Sequence, residues 1–569
     1  MVDTLAHRKE LCFWGWGYAD ESLSAAELKR LDQLAELLGG APEGAATPKL
    51  EEFDLPSPRV AAPGALAGIL SATPYDRITH GYGKSFADLV RLQMRDMPRP
   101  PDWVAFPRDE DEISALMDFA ANSGAALIPF GGGTSVCGGV EPDVGGDYSA
   151  VISVDLQYLN RVLEVDRTSR AALIEGGALG PELEAALKPH ELTLRHFPQS
   201  FQFSTLGGWI ATRAGGHFAT NYTHIDDFVE NVRMLTPRGV MESRRLPGSG
   251  AGPSPDRMMI GSEGTLGFIT RAWMRLQDRP RFRASASVTF AGMEPACAAV
   301  RAISQAGLFP ANCRLLDPVE AMMNGVGDGR TALLVLAFES ADHPLGAWMA
   351  RTLELVADHG GSWDQDAVNR SLAGGSPAAE EAGEHRKGAA GEWRNQFLRA
   401  PYGRNYLTPR GLILDTFETA ITWDRFDAFY HGVRERMGRV LRDTSEGEGL
   451  LSCRFTHVYP DGPAPYFTLY AVGSKTGDMA SMLARWQTIK LAANETVTSL
   501  GGTITHHHAV GRDHRALGYD RQIPSLFREA FASARRRLDP TGMMNPGVLI
   551  DTPERGATAG GVLGNSSSN

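Results

Sequence analysis

Hydrophobic and polar positions alternate most legibly between Trp103 and Leu156. Trp103–Phe106 is a short apolar run. It is followed by DEDEISALMDFAANSG, where apolar residues recur three and four apart, acidic residues fill the first turn and a glycine closes the end. That spacing predicts an amphipathic helix. AALIPF and AVISVDL are continuous apolar runs of strand length on either side of GGGTSVCGG, which predicts two buried strands joined by a glycine-rich loop. Further α/β pieces reach about Asp278: RAALIEGG, GPELEAALKPH, TLGGWIATRAGG, NVRMLTPRGV and EGTLGFITRAWMRL. Near Arg279 the pattern changes. ASASVTFAG, TALLVLAFES, GLILDTFETA and PYFTLYAV alternate like strands around the helical PACAAVRAISQAG, which predicts an antiparallel sheet with helices.

The remainder is less regular. Residues 1–95 mix a helical period in AELKRLDQLAELLG with proline-rich connections. Ala367–Gly391, rich in Ala, Gly and Glu, predicts an exposed excursion, and the polar, Gly/Ser-rich tail Asp551–Asn569 predicts disorder. The resulting division is a mixed segment over 1–95, an α/β unit over 96–279, an antiparallel unit over 280–500, a closing segment over 501–550 and a tail over 551–569.

A chain of 569 residues has room for two to four such units. Its formal charge of −12 argues against a nucleic-acid partner, because phosphate binding needs Lys and Arg. A local arginine cluster can still oppose that sign and hold an anionic small molecule. The five cysteines are scattered, odd in number and never CxxC, which predicts a reducing compartment and no zinc or iron–sulfur centre. There is no apolar run of signal-peptide length at the N-terminus and none of about 20 residues elsewhere. The expectation is a cytoplasmic, soluble protein with at most peripheral membrane contact.

Three glycine-rich stretches carry candidate chemistry. In Gly131–Ser135, between two buried strands, glycines permit positive φ and let backbone N–H groups converge on an anion, and Thr134 and Ser135 add hydroxyls. A diphosphate is the natural ligand; a plain tight turn is the alternative. The loop is neither GxGxxG opening a helix nor GxxxxGK[ST], so neither a dinucleotide fold of that type nor a P-loop is indicated. Small and hydroxyl residues recur in Pro198–Gly216 and again in GSEGTLGFIT (Gly261–Thr270). The consecutive His506–His508 are candidate proton carriers. If that segment is extended, His506 and His508 share one side and His507 takes the other. A metal is set aside there, since no Asp, Glu or Cys lies nearby at ligand spacing.

In this order and spacing, the three stretches resemble the FAD-binding domain of the vanillyl-alcohol-oxidase/p-cresol methylhydroxylase (PCMH) family. The implied fold is α+β: a two-part FAD-binding unit over 96–279 and an α+β cap with an antiparallel sheet, the closing segment returning to the flavin. The resemblance implies FAD with its diphosphate on Pro129, Gly131, Gly132, Gly133, Thr134 and Ser135. It places ribityl chain and ring along Gln199, Ser204, Thr205, Gly208, Thr212 and Gly215, and along Glu263, Gly264, Thr265, Gly267 and Ile269. Many members attach the flavin to a histidine of the first loop. Thr134 stands in that place, so non-covalent FAD is expected.

WGWGY (Trp14–Tyr18), FSTLGGW, CRLLD (Cys313–Asp317), DTFET (Asp415–Thr419) and THHHAVG (Thr505–Gly511) narrow the resemblance to alkyldihydroxyacetonephosphate synthases, over nearly the whole chain. By that resemblance Tyr466 and His506, His507 and His508 are catalytic and Arg404 is an anion clamp. Arg314 and His196 sit near substrate or flavin, and the assembly is a homodimer. The implied reaction exchanges the acyl group of acyl-dihydroxyacetone phosphate for a fatty alcohol through a flavin N5 adduct, in ether-lipid synthesis. One departure is that only PVEAMMNGVGDGR separates Asp317 from TALLVLAF, where the synthases carry a longer, amphipathic insertion. Two rivals remain: an FAD oxidase or dehydrogenase of a 2-hydroxy acid, and a flavin-binding module without turnover.

Overall fold

The stretch after Trp103 folds as its patterning requires. In a computed structural model describing residues 8–40, 43–146, 148–374 and 399–552, Asp109 caps the helix Glu110–Ser123 by accepting the N–H of Glu112, and Gly124 closes it at φ 77°. Strands Trp103–Ala105, Val151–Asp155 and Ala126–Phe130 lie parallel beside it. Leu70–Ser71 joins this sheet antiparallel to Trp103–Ala105, so the segment 1–95 is not separate from it. A two-residue strand has no readable period. The other end of that segment reaches the cap: Leu31, Ala35 and Leu38 of helix Ala25–Leu38 pack on Leu407, Leu412 and Val472.

A second sheet has five antiparallel strands, Val162–Asp166, Ala171–Glu175, Phe268–Arg275, Val229–Thr236 and Gly239–Glu242 in spatial order. The cap is a seven-stranded antiparallel sheet. Its spatial order is Ser362–Trp363, Phe282–Phe290, Ala332–Ser340, Asn312–Leu316, Leu450–Val458, Pro463–Val472 and Leu412–Glu418. One face presents Leu315, Leu334, Cys453, Phe467 and Phe417 to the largest apolar core. Helices Met293–Gln305, Gly346–Ala357, Trp423–Thr444 and Met479–Ser499 close that core. Strand alternation sends the intervening residues to the opposite face, toward the glycine loops.

The closing segment ties the units together. Met543 and Met544 pack in the core of the first sheet, and Asn545 Nδ2 donates to the carbonyls of Gly139 and Glu263. Of the expected excursion, Gln365–Gly374 is helical and residues 375–391 lie outside the described residues. Residues 553–569 of the expected tail lie outside them too.

Candidate active site

Between the glycine loops and the open face of the cap sheet runs one cleft of about 330 Å³. The first loop forms one end. A Cβ on Gly132 would sit 1.6 Å from the carbonyl oxygen of Phe203, so only glycine lets this loop lie on the second. Gly133 adopts φ 63°. Backbone N–H groups from Gly132 to Val136 have no acceptor among the described residues, and those residues line the cleft. Such a run of unpaired donors fits a diphosphate. Pro129, Gly131, Thr134 and Ser135 line the same end. Arg8 holds the loop from behind, donating to the carbonyls of Gly131 and Gly177 at 3.2 and 2.6 Å.

The second loop supplies Gln199, Ser204, Thr205, Gly208, Thr212 and Gly215 to the cleft, and the third supplies Glu263, Gly264, Gly267 and Ile269. Thr265 is different. It is fully buried and its hydroxyl donates to Ser262 O at 2.7 Å, holding the loop's own turn. Glu263 also has a scaffold duty, since its carboxylate accepts the N–H groups of Val510 and Gly511 at 2.9 and 2.8 Å. Burial pushes Glu263 up to about 7, against those two donors.

The opposite wall follows from strand register. Arg454 pairs with Tyr466 and Tyr466 with Glu418, so the three form a row across neighbouring strands on one face. Thr456, Thr468, Tyr470, Thr416 and Leu414 continue that face at two-residue spacing and line the cleft. Tyr466 therefore belongs to the cleft and not to the apolar core on the sheet's other side. The Arg454 guanidinium lies 4.0 Å from the centroid of the Tyr466 ring, and its Nη1 is 2.5 Å from Glu320 Oε1.

The histidine segment is not extended. It wraps around the Glu418 carboxylate, which accepts the backbone N–H groups of His506, His507 and His508 at 2.7, 3.1 and 3.0 Å, and the Thr505 hydroxyl. Burial alone would raise Glu418. The neighbouring histidines, His507 foremost, hold it well below the usual carboxylate range. The facing expected for a strand is thus replaced: His507 and His508 both line the cleft beside Tyr466, while His506 does not. His506 lies beside His224 and His457 instead, with ring centroids 4.5 and 4.8 Å away.

Folding brings Glu418 and His457 to this segment, and ring nitrogens of His457, His506 and His507 lie within 4.8 Å of one another. The contacts present are hydrogen bonds: His457 Nε2 to Gly216 O at 3.0 Å and His506 Nε2 to the Tyr459 hydroxyl at 2.8 Å.

Arg404 and Arg314 both line the cleft. Arg404 Nη2 lies 3.8 Å from Asp415, whose buried carboxylate also accepts Trp486 Nε1 at 2.7 Å. Arg314 donates to His217 O at 2.8 Å. Burial and the nearby Arg454 push its pKa down to about 9, which leaves it charged at neutral pH. His196 does not reach the cleft. It is 1 % exposed, packs against Trp209 and Phe228, and burial pushes it down to about 3. A neutral ring supporting the second loop is its structural place. Arg454, Glu320, Glu418 and Tyr459 are site residues that the sequence reading did not single out. DTFET contains Glu418, yet its role depends on residues nearly ninety positions away.

Comparison with known proteins places the chain among FAD-dependent enzymes. The family described as FAD binding domain matches residues 101–243, and FAD linked oxidases, C-terminal domain, matches residues 279–549. An alkyldihydroxyacetonephosphate synthase of Trypanosoma brucei brucei is 28% identical over 491 residues, 84% of this chain and 78% of that protein. A probable mitochondrial D-lactate dehydrogenase of Danio rerio is 26% identical over 83% of this chain and 90% of its own. A solved alkyldihydroxyacetonephosphate synthase structure superposes with a TM-score of 0.75 at 22% identity, covering 94% of this chain and 98% of that one. Its FAD binding and FAD linked oxidase domains and these relatives identify the chain as an FAD-dependent enzyme homologous to the alkyldihydroxyacetonephosphate synthases.

Proposed function

We propose that this enzyme exchanges the acyl group of acyl-dihydroxyacetone phosphate for a long-chain alcohol, the transfer that founds an ether lipid. The observation that carries the reading is that three homologues named alkyldihydroxyacetonephosphate synthase align along 84% of the chain at 28–29% identity. The cleft is chemically suited to such a substrate. Arg404 and Arg314 offer guanidinium donors to a phosphate. Tyr466, His507 and His508 line the same cleft and supply the groups to take and return a proton at the substrate's carbon. Arg454 lies over the face of Tyr466 and keeps the ring in place, with Glu320 fixing the guanidinium. Bound FAD supplies a reactive N5 position able to carry the exchange without net redox change. The loop around Thr134 contains no histidine, so the flavin is held by backbone donors and leaves on denaturation.

Similarity to proteins named D-lactate dehydrogenase and glycolate oxidase subunit favours a second reading, oxidation of a 2-hydroxy acid whose carboxylate takes the arginines. An anaerobic assay separates the two. Flavin-loaded enzyme receives palmitoyl-dihydroxyacetone phosphate and labelled hexadecanol. Ether product with the flavin oxidised at completion supports the transferase. No ether, with bleaching of the flavin by a D-2-hydroxy acid, replaces it with the dehydrogenase.

A further inference from the structure

The main cleft is not the only space beside the histidines. Two outer clefts, of about 460 and 550 Å³, share no lining residue with it, and Tyr459 lines both. Between main and outer clefts the side chains form an unbroken file. His507, in the main cleft, has Nδ1 3.1 Å from Nδ1 of His506. His506 Nε2 is 2.8 Å from the Tyr459 hydroxyl, which is 3.0 Å from the Thr223 hydroxyl. Thr223 lines the second outer cleft with Asp226, Arg257 and Tyr222.

We infer that His507, His506, Tyr459 and Thr223 form a relay that carries the reaction's proton between the substrate and an outer cleft. The inference rests on the reading that turnover removes a proton from substrate, which holds for both the transferase and the dehydrogenase. Two facing Nδ1 atoms hydrogen-bond only when one carries a proton, so the imidazole pair shares one, with Glu418 Oε2 3.3 Å from His507 Nδ1 beside it. When His507 takes a substrate proton at its other nitrogen, its Nδ1 proton passes to His506. His506 gives its Nε2 proton to Tyr459, and the hydroxyl proton of Tyr459 passes to Thr223 or to water in the outer cleft. One proton enters, one leaves and no electrons move. The hops run backward when a proton returns to the product, and that return restores both tautomers.

The surroundings of His506 suit transit and not storage. His224, His457 and His508 face it from three segments, with His507 beside it and Glu418 beneath its backbone. Burial, with the His224, His507 and His508 imidazoles, pushes its pKa well below the ordinary value, against Glu418, so charge does not rest there. Burial, together with Asp227, Asp461 and Glu418, raises the Tyr459 phenol, which therefore gives up a proton only as it receives one.

Tyr459→Phe removes one oxygen from the middle of the file, and Thr223→Val removes its outer end. On flavin-loaded protein without substrate, a stopped-flow jump from about pH 8 to about pH 6 is followed by flavin absorbance, which reports the arrival of protons in the main cleft. The expected result is an unchanged equilibrium spectrum with relaxation at least about tenfold slower in Tyr459→Phe, slowed in the same direction in Thr223→Val, and restored by added imidazole. Relaxation equal to wild type in both variants overturns the relay. So does slowing that imidazole fails to restore, or a wild-type flavin spectrum that ignores the jump. If wild type makes no ether while the relaxation behaves as expected, the transferase reading falls and the relay stands.

Discussion

The Glu418 carboxylate receives the backbone of three consecutive histidines, so its loss reaches further than one contact. Glu418→Ala leaves the N–H groups of His506, His507 and His508 and the Thr505 hydroxyl without their acceptor. At roughly 1–3 kcal/mol for each buried donor left unpaired, stability should fall by about 3 kcal/mol or more, read as a lowered Tm, and activity should be lost with the displaced rings. The pH dependence has a definite sign. The folded pKa of Glu418 is depressed below 4.5, so its stabilisation is complete above that value and is lost as pH falls through the folded pKa. Glu418→Gln should flatten the acid limb of a Tm-against-pH curve. Arg404 makes a different kind of contribution. It touches no backbone segment as Glu418 does, and its guanidinium faces the cleft tethered by Asp415. Arg404→Ala should raise KM for an anionic substrate roughly 10- to 100-fold, the equivalent of one charged hydrogen bond, with Tm little changed. An unchanged KM removes it from the anion site.

The loops are built by backbone, and their predictions follow from backbone. Gly132→Ala places a methyl 1.6 Å from Phe203 O, a clash no rotamer relieves. The purified variant should carry little flavin, measured as visible absorbance per protein. Glu263 fastens the third glycine loop to the histidine segment through Val510 and Gly511. Its folded pKa, about 7, lies above the ordinary 4.5, so its effect on stability is opposite to that of Glu418. The favourable contribution is present below pH 4.5 and is lost as pH rises to about 7. Glu263→Gln should remove that decline from the Tm curve across the same window. In the cap strands, alternation was readable but incomplete. The sequence marks Phe417 and Phe467 as apolar, yet Tyr466 beside them reads equally well as core. The pairing Arg454–Tyr466–Glu418 decides which face is which.

The cleft is assembled from loops of two sheets, the face of a third and a closing segment from the end of the chain, so ligand and fold are coupled. Removing FAD should lower Tm. Restoring it at about 100 times Kd should return roughly 2.7 kcal/mol, seen as a rise of a few degrees. No helix among the described residues is long and apolar enough to cross a membrane.

The sequence by itself marked a candidate diphosphate loop, and the resemblance carried by its three glycine-rich stretches implied FAD, which the FAD-domain matches bear out. Glycine tolerance, hydroxyl donors and strand-length apolar runs act over a few neighbouring residues, and GGGTS between two buried strands carries that information locally. It also marked His506–His508, Tyr466 and the two arginines, through short motifs. Only the tertiary structure decided what those residues face. The histidine segment is bent, not extended, because Glu418, 88 residues earlier than His506, gathers three successive N–H groups. His196 sits beneath the second loop, and His457 and Tyr459 come to His506 on a different strand and its following turn. Each of these is a long-range pairing set by strand register and by the return of the chain end. Register is a property of two segments meeting, and neither segment contains it alone.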